Sequence, residues 1–322
     1  MRIAILLAGL ALAGFSPHAV LAASIDCAKA KYPYDKAICA DPELRQLDVD
    51  LAAAYDKLAA IAGETGRDRI RRGEYDRHTY TEELCASSDK ACLAAAYRQG
   101  LSSVARFAEQ PAGAALVPVE RFRLTLVGRN GPKTSVASAF PRIDHPAVPW
   151  AGQFEKAARR TAEALLPEDP ATDAVVDYRS TYLAPDLAAV AFLVQTFPHG
   201  AAHGTGRLVA FAYLPGEQRG LRPTDLFQSG TTWSGFLAES ALAGLQQQAT
   251  AGGWALTVSS PGELETTVAD PDTWVIHPNG LGLAFDEGSV AARVAGAHEV
   301  LIPWADLKPY LSATPAFAIP QP

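Results

Sequence analysis

The first third of the chain carries apolar residues at helical spacing. Within "DPELRQLDVDLAAAYDKLAAIA" they recur every three or four positions and so share one helix face: Leu44, Leu47, Leu51, Tyr55, Leu58 and Ile61. Asp41 is a favourable N-cap and Pro42 suits the first helical turn, so a helix is expected to begin there. "SDKACLAAAYRQGLSSVARFA" repeats the pattern, with Ser88 as the expected cap. Residues 24–110 therefore predict an all-α domain.

The stretch between these two helices, "GRDRIRRGEYDRHTYTEELC", is far more charged. Fewer apolar residues recur at helical spacing in this stretch, and they are Ile70, Tyr75 and Leu84. Acidic residues flank the arginines, so a solvated helical face explains the charge better than a binding site does.

A Pro/Gly/Ala-rich segment at residues 111–118 is typical of a linker, and the pattern changes after it. Alternating or continuous apolar runs predict strands in "VERFRLTLV", "AVVDYRSTYL", "LAAVAFLVQTF", "RLVAFAYL", "TWVIHP", "GLGLAF" and "HEVLIPW". Helices are predicted in "PWAGQFEKAARRTAEALLPED" and "TTWSGFLAESALAGLQQQA", with a closing turn in "WADLKPYL". Because the predicted strands and helices alternate irregularly along the chain, residues 119–322 are expected to form an α+β domain, with a mixed or antiparallel sheet and packed helices.

The chain begins as a secretory signal does. "MRIAILLAGLALAGF" is one basic residue followed by an apolar run, and Val20 and Ala22 fit the −3 and −1 positions of a cleavage site. Residues 1–23 are therefore expected to be a signal peptide. The apolar run is short for a bilayer crossing, so a retained anchor is the weaker alternative. We expect a periplasmic or secreted protein with no membrane attachment after cleavage.

All four cysteines lie near the start of the chain: Cys27, Cys39, Cys85 and Cys92. An even number in an oxidising compartment predicts two disulfides, for which three pairings are possible. Cys27–Cys39 and Cys85–Cys92 are favoured because each closes a short local loop. A four-cysteine zinc site is the rival, but it normally has tighter Cys-x-x-Cys spacing.

The charge balance narrows the range of partners. The chain has 28 Lys and Arg against 35 Asp and Glu, a net charge of −7, and loss of Arg2 with the signal would make it −8 (27 against 35). An acidic protein of this kind is a poor ligand for nucleic acid or anionic lipid. Opposite net charge favours a cationic partner, because it raises the association rate.

The N-terminal region resembles the LprI-like family, small exported domains named after a mycobacterial lysozyme inhibitor. The similarity lies in "DCAKAKYPYDKAICADPELRQLDVDLAAAY" and "CASSDKACLAAAYRQGL". These segments keep the family's cysteine spacing, its "P-x-L-x-x-L-D" helix start and its late "C-x6-C-L". The resemblance implies a small helical domain with a relative that binds lysozyme.

Residues 119–322 resemble the C-terminal domain of the anti-sigma factor RsiV. The similarity lies in "FPHGAAHGTGRLVAFAYLPGEQRGLRPTDLF" and in "WVIHPNGLGLAFDEGSVAARVAGAHEVLIPWADLKPYL". The second segment keeps the family's "V-x-I-P" strand end but lacks its usual "A-P-Y" at residues 291–293. RsiV senses lysozyme by binding it, so this resemblance also implies a lysozyme-binding relative.

The segment "TFPHGAAHGTG" holds the candidate site, two histidines among small residues between two predicted strands. Its glycines allow the positive φ of a tight turn, and the histidines could simply hold that turn. The alternative is a loop presented to a protein partner, a role that the resemblance to RsiV favours. The candidate partner-binding residues are His199, Gly200, His203, Gly204 and Gly206.

A zinc site at these histidines would need further ligands, for which His277 and His298 are the candidates, but the sequence does not require them to meet. No metal or cofactor is therefore expected.

Catalytic groups are not evident either. Ser234 lacks the glycines of a nucleophile elbow and is expected in the first turn of a helix. Glu168, Asp169 and Asp173 are interpreted as a charged loop between elements. We expect no enzymatic activity and no catalytic residue.

Because each of the two regions resembles a lysozyme-binding relative, we expect an exported envelope protein that binds and inhibits lysozyme-type muramidases. The alternatives are a peptidoglycan-binding module and a purely structural envelope protein.

Overall fold

A computed structural model describes residues 24–127 and 133–319. The predicted signal peptide, residues 1–23, lies outside the described residues. The N-terminal region is helical, as predicted. Its helices are α1 (Pro33–Ala40), α2 (Pro42–Ala60), α3 (Glu64–Leu84) and α4 (Lys90–Phe107). Within the described residues, no helix combines the length and apolarity needed to cross a membrane.

Helix α2 begins as its sequence predicts. The Asp41 carboxylate accepts the backbone N–H groups of Glu43 and Leu44 at 2.9 and 3.1 Å. Helix α4 is capped one residue later than expected, by Asp89 instead of Ser88. The Asp89 carboxylate accepts the N–H of Cys92 at 3.0 Å, and this third residue of the helix is the one an N-cap side chain reaches.

Both favoured disulfides are present. Cys27 is bonded to Cys39, which fastens the N-terminal segment to the end of α1. Cys85 is bonded to Cys92 and joins the end of α3 to the start of α4. The disulfides indicate an oxidising, non-cytoplasmic compartment.

A six-stranded sheet follows, in the spatial order β1-β2-β3-β4-β5-β6. Its strands are β1 (Ala115–Leu126), β2 (Lys133–His145), β3 (Thr172–Ala184), β4 (Leu187–Pro198), β5 (Thr205–Leu214) and β6 (Arg219–Gly220). The pair β2 and β3 is parallel, with helix α5 (Ala151–Ala164) between them in sequence, and the other pairs are antiparallel. The sheet is therefore mixed.

The sequence pattern missed strand β2. Its sequence, "KTSVASAFPRIDH", has few β-branched or aromatic residues and contains a proline. Pro141 is tolerated because it pairs with Pro118 of β1 and lies beyond residues 136–138, where β2 pairs with β3. Residues 115–118 of the predicted linker belong to β1.

The C-terminal part adds a three-stranded antiparallel sheet and short helices. Its elements are α6 (Pro223–Leu226), α7 (Trp233–Gly252), α8 (Glu265–Val268), β7 (Trp274–His277), β8 (Gly280–Phe285), β9 (His298–Pro303) and α9 (Trp304–Leu307). The two sheets meet through small buried side chains, which let them approach closely: Ala191, Ala210, Val275 and Ala284.

The helical region packs against the six-stranded sheet in one shared core. Phe107 of α4 stacks on Tyr178 of β3 with ring centroids 5.0 Å apart, and Leu58, Ile70 and Phe154 are buried in the same cluster. The division into residues 24–110 and 119–322 stays a prediction, but the two parts are in extensive contact.

Candidate functional site

The candidate site lies at the connection between β4 and β5. Residues 199–204 form this loop, named here the β4–β5 loop. The N–H of His199 donates to the carbonyl of Ala171 at 2.8 Å, and Gly200 has a φ of +83°. Next to the loop, the hydroxyls of Thr196 and Thr205 lie 2.7 Å apart across the strands. A turn at Gly200 that requires positive φ agrees with the structural role predicted for this glycine.

His199 turns towards strand β3. Its Nε2 lies 3.3 Å from a carboxylate oxygen of Asp173, and 21 % of the side chain is exposed. Its Nδ1 is buried with no hydrogen-bond partner among the described residues. His199 therefore holds the loop against β3.

His203 has a different environment. It is exposed, and its Nδ1 lies 3.2 Å from the carbonyl oxygen of Gly204. His203 also borders the cleft described below, whereas His199 does not. The two histidines of the sequence motif are thus separated in role.

The other histidines considered as metal ligands have contacts of their own. His277 lies 2.5 Å from a carboxylate oxygen of Glu299, and His298 packs on Trp254 with ring centroids 4.3 Å apart. Across residues 24–127 and 133–319, no three His, Cys, Asp or Glu side chains are grouped as a metal site requires.

Two glycines of the motif are sites of close approach. A Cβ on Gly204 would lie 2.5 Å from the backbone oxygen of Thr196, and one on Gly206 would lie 2.9 Å from a carboxylate oxygen of Glu287. A larger residue at Gly204 would therefore require a shift of the backbone, whereas one at Gly206 would require the Glu287 side chain to move.

A cleft of about 400 Å³ opens beside the β4–β5 loop and is named here the hairpin cleft. Within the described part of the chain, its charged lining residues are Asp173 and Glu287, and no lysine or arginine lines it. Ser135, Ala174, Val175, Gln195, Thr196, Phe197, His203, Gly204, Thr205 and Gly206 complete the lining. Three of the five predicted site residues are among them. An acidic cleft of this size suits a cationic side chain.

The interpretation of Asp173 as a loop residue, together with Glu168 and Asp169, is wrong for Asp173. This residue lies in β3, where one oxygen accepts the backbone N–H and the hydroxyl of Ser135 at 2.7 and 2.8 Å, and the other faces His199. Ser135 belongs to the unpredicted strand β2, so the sequence offered no sign that Asp173 had a fixed position.

Glu287 was not identified from the sequence, because its position depends on a contact between segments far apart in the chain. The N–H of Glu287 donates to the carbonyl of Gly206 at 3.0 Å. The neighbouring Asp286 accepts the N–H of Leu208 at 3.0 Å and pairs with Arg207 at 3.1 Å. Within the described part of the chain, the carboxylate of Glu287 has no ion-pair partner, so its charge is available in the cleft.

Ser234 lies in the first turn of α7, as predicted, and its hydroxyl donates to the carboxylate of Glu265 at 3.0 Å. Asp169 accepts the N–H of Ala171 at 2.9 Å and so stabilises the turn before β3. Neither residue borders the hairpin cleft.

A comparison with known protein families finds a match for one part of the chain. Residues 224–305 match the family described as "Protein of unknown function (DUF3298)". The DUF3298 match runs from α6 into α9 and includes Glu287, but it begins at residue 224, after the β4–β5 loop, and so does not include that loop. It lies within the region that resembles the C-terminal domain of RsiV and supports that resemblance. The LprI-like resemblance of the helical region stays a prediction.

Two crystal structures from the same family are similar to this chain. A member of the DUF3298 family from Bacteroides fragilis NCTC 9343 is 12 % identical, with a TM-score of 0.46, over 63 % of this chain and 96 % of that one. A DUF3298 family protein from Pseudomonas aeruginosa PAO1 is 16 % identical, with a TM-score of 0.42, over 64 % of this chain and 97 % of that one. No curated protein matches the sequence.

Proposed function

We propose that this protein is exported to the periplasm or beyond the cell, binds a lysozyme-type muramidase through the hairpin cleft, and inhibits it. The observation that carries the proposal is the cleft itself, which holds the carboxylates of Asp173 and Glu287 and, among the described residues, is lined by no lysine or arginine. Such a cleft is complementary to a lysine or arginine side chain of a basic protein.

The charge of the whole chain supports the same kind of partner. Lysozymes are commonly basic, and this chain has a net charge of −7. Opposite charges steer the two proteins together and raise the association rate. The resemblance of both regions to families with lysozyme-binding relatives is what selects a muramidase among basic proteins.

The site is suited to binding rather than to rearrangement. Asp173 is fixed by Ser135 and His199, and the backbone of Glu287 is fixed by Gly206. Groups already held in position lose little conformational freedom when a partner arrives. For inhibition, a segment of this protein must block the muramidase's substrate cleft, and we assign this role to the β4–β5 loop.

The test is a binding titration of the oxidised protein against a c-type lysozyme, with the variant Glu287→Gln. This substitution removes the charge and keeps the shape, so we expect the Kd to rise about fivefold or more and the salt dependence to weaken. Glu239→Gln is the matched control, because Glu239 is exposed on α7 and lies outside the cleft. Equal Kd values for both variants would refute the assignment of the cleft.

A further inference from the structure

A second surface feature lies beside the hairpin cleft. Arg293–Ala295 form a 3-10 turn, named here the Val294 turn, and 96 % of the Val294 side chain is exposed. The other large apolar residues that are exposed in the described chain are less so, the next being Tyr32 at 66 %. A single exposed apolar side chain is ordinary on a protein surface, so it is the position of Val294 beside the candidate site that makes it a candidate contact for a partner.

The turn is held in place by its own backbone. The N–H of Ala295 donates to the carbonyl of Ala292 at 2.8 Å, and that of Gly296 donates to Arg293 at 2.9 Å. Gly296 has a φ of +81°, which lets the chain leave the turn. Val294 is therefore presented by a defined structure.

The segment before the turn is anchored in the core. Val290 and Ala291 are each only 2 % exposed. The carbonyl of Val290 accepts the N–H of Thr257 at 2.9 Å, and Ala291 forms a β-bridge with Leu256. A rigid base of this kind lowers the entropy cost of binding through the turn.

The Val294 turn is continuous with the candidate site. The Arg293 guanidinium donates to the carbonyl oxygen of Gly204 in the β4–β5 loop at 3.4 Å. The Cβ position of the same glycine lies 3.4 Å from the ring of Phe197, which lines the hairpin cleft and is 44 % exposed. The Val294 turn is therefore bonded, through Arg293, to the loop that borders the acidic cleft.

We infer that the Val294 turn is a second contact segment of the partner-binding surface, inserting Val294 into an apolar depression of the basic protein whose cationic side chain enters the hairpin cleft. The inference rests on the proposed function. The hairpin cleft and the Val294 turn are expected to affect different rates. Electrostatic contacts in the cleft act mainly on the association rate, whereas the buried apolar contact of Val294 acts mainly on the dissociation rate.

The experiment measures association and dissociation rates with a c-type lysozyme by surface plasmon resonance. For Val294→Ser we expect the dissociation rate to rise about fivefold or more, with an association rate within about twofold of wild type, because an apolar contact is lost without a change of charge. Glu287→Gln is expected to act mainly on the association rate. Val49→Ser is the matched control, since Val49 is 43 % exposed on α2 in the helical region and should leave both rates unchanged.

The outcomes separate the inference from the function on which it rests. If the wild type binds and Val294→Ser dissociates at the wild-type rate, the inference is wrong and the proposed function stands. If the wild type does not bind any lysozyme class, both fail. Sedimentation of the protein alone provides a further check: self-association that Val294→Ser abolishes would assign the surface to a second copy of this chain and overturn the inference. Circular dichroism and melting of each variant confirm that its fold is retained.

Discussion

Arg77 of α3 and Glu120 of β1 form a buried ion pair, 2.5 Å apart, with 6 % and 1 % of their side chains exposed. Tyr55 of α2 completes the cluster, since its hydroxyl donates to Glu120 at 2.8 Å and accepts from Arg77 at 2.8 Å. The expected solvated face of α3 is therefore correct for exposed residues such as Arg67, Asp68 and Arg72, but wrong for Arg77. This cluster joins the helical region to the sheet.

Removal of one partner should destabilise the protein strongly. Arg77→Met leaves the Glu120 charge buried without compensation, so we expect the free energy of unfolding to fall by about 3–5 kcal/mol in urea titrations. Arg72→Ala is the matched control, because Arg72 is 73 % exposed and its pair with Asp76 should contribute about 0–1 kcal/mol. Similar losses for the two variants would show that burial of the pair does not matter.

Stability should depend on the ionisation of Glu74 of α3. Burial, together with the smaller effect of the nearby Asp56 charge, raises the pKa of this carboxyl from its ordinary value of 4.5 to about 7. A raised pKa favours the protonated folded state, so this contribution to stability is complete below pH 4.5 and is lost as the pH rises through 7. Glu74→Gln cannot ionise, and its stability advantage over wild type should grow from pH 5 to pH 8. A difference that stays constant across these pH values would contradict the assignment.

The disulfide between Cys27 and Cys39 should stabilise the helical region. It spans 12 residues in sequence and restricts the unfolded chain. Replacing both cysteines with alanine is expected to lower the free energy of unfolding by about 2–4 kcal/mol, measured by denaturant titration. Treatment with a thiol reductant provides the control, because it should lower the melting temperature of the wild type more than that of the double variant. A wild-type melting temperature that does not respond to complete reduction would disprove this contribution.

The β4–β5 loop should not tolerate a side chain at Gly204. A Cβ there would lie 2.5 Å from the backbone oxygen of Thr196, which cannot move as a flexible side chain would. Gly204→Ala is therefore expected to lower the free energy of unfolding by about 1–3 kcal/mol and to weaken lysozyme binding. Gly216→Ala is the control, because nothing lies within 4 Å of its Cβ position. If Gly204→Ala behaves like this control, the loop geometry described here is wrong.

Local signals in the sequence were sufficient for part of the fold. The start of α2 at Asp41 and the two disulfides follow from neighbouring residues alone, and the structure has them. Helix α5 also lies within the segment in which a helix is predicted, and its Phe154 and Ala158 are buried.

What the sequence could not predict depends on contacts between distant segments. Strand β2 has a weak pattern of its own and is stabilised by β1 and β3 on either side. The burial of Arg77 requires Glu120, 43 residues away. The candidate site divides in the same way, since the β4–β5 loop was visible as a motif, whereas Asp173 and Glu287 enter the cleft only through tertiary contacts.

The most direct test of the central claim follows the rate of cell-wall lysis by a c-type lysozyme as the oxidised protein is added, with binding measured in the same samples. The account predicts dose-dependent inhibition that parallels binding and weakens as the salt concentration rises. Absence of both binding and inhibition, repeated with g-type and i-type enzymes, would contradict it. If the protein instead sediments with purified sacculi without lysozyme, its target is the cell wall itself.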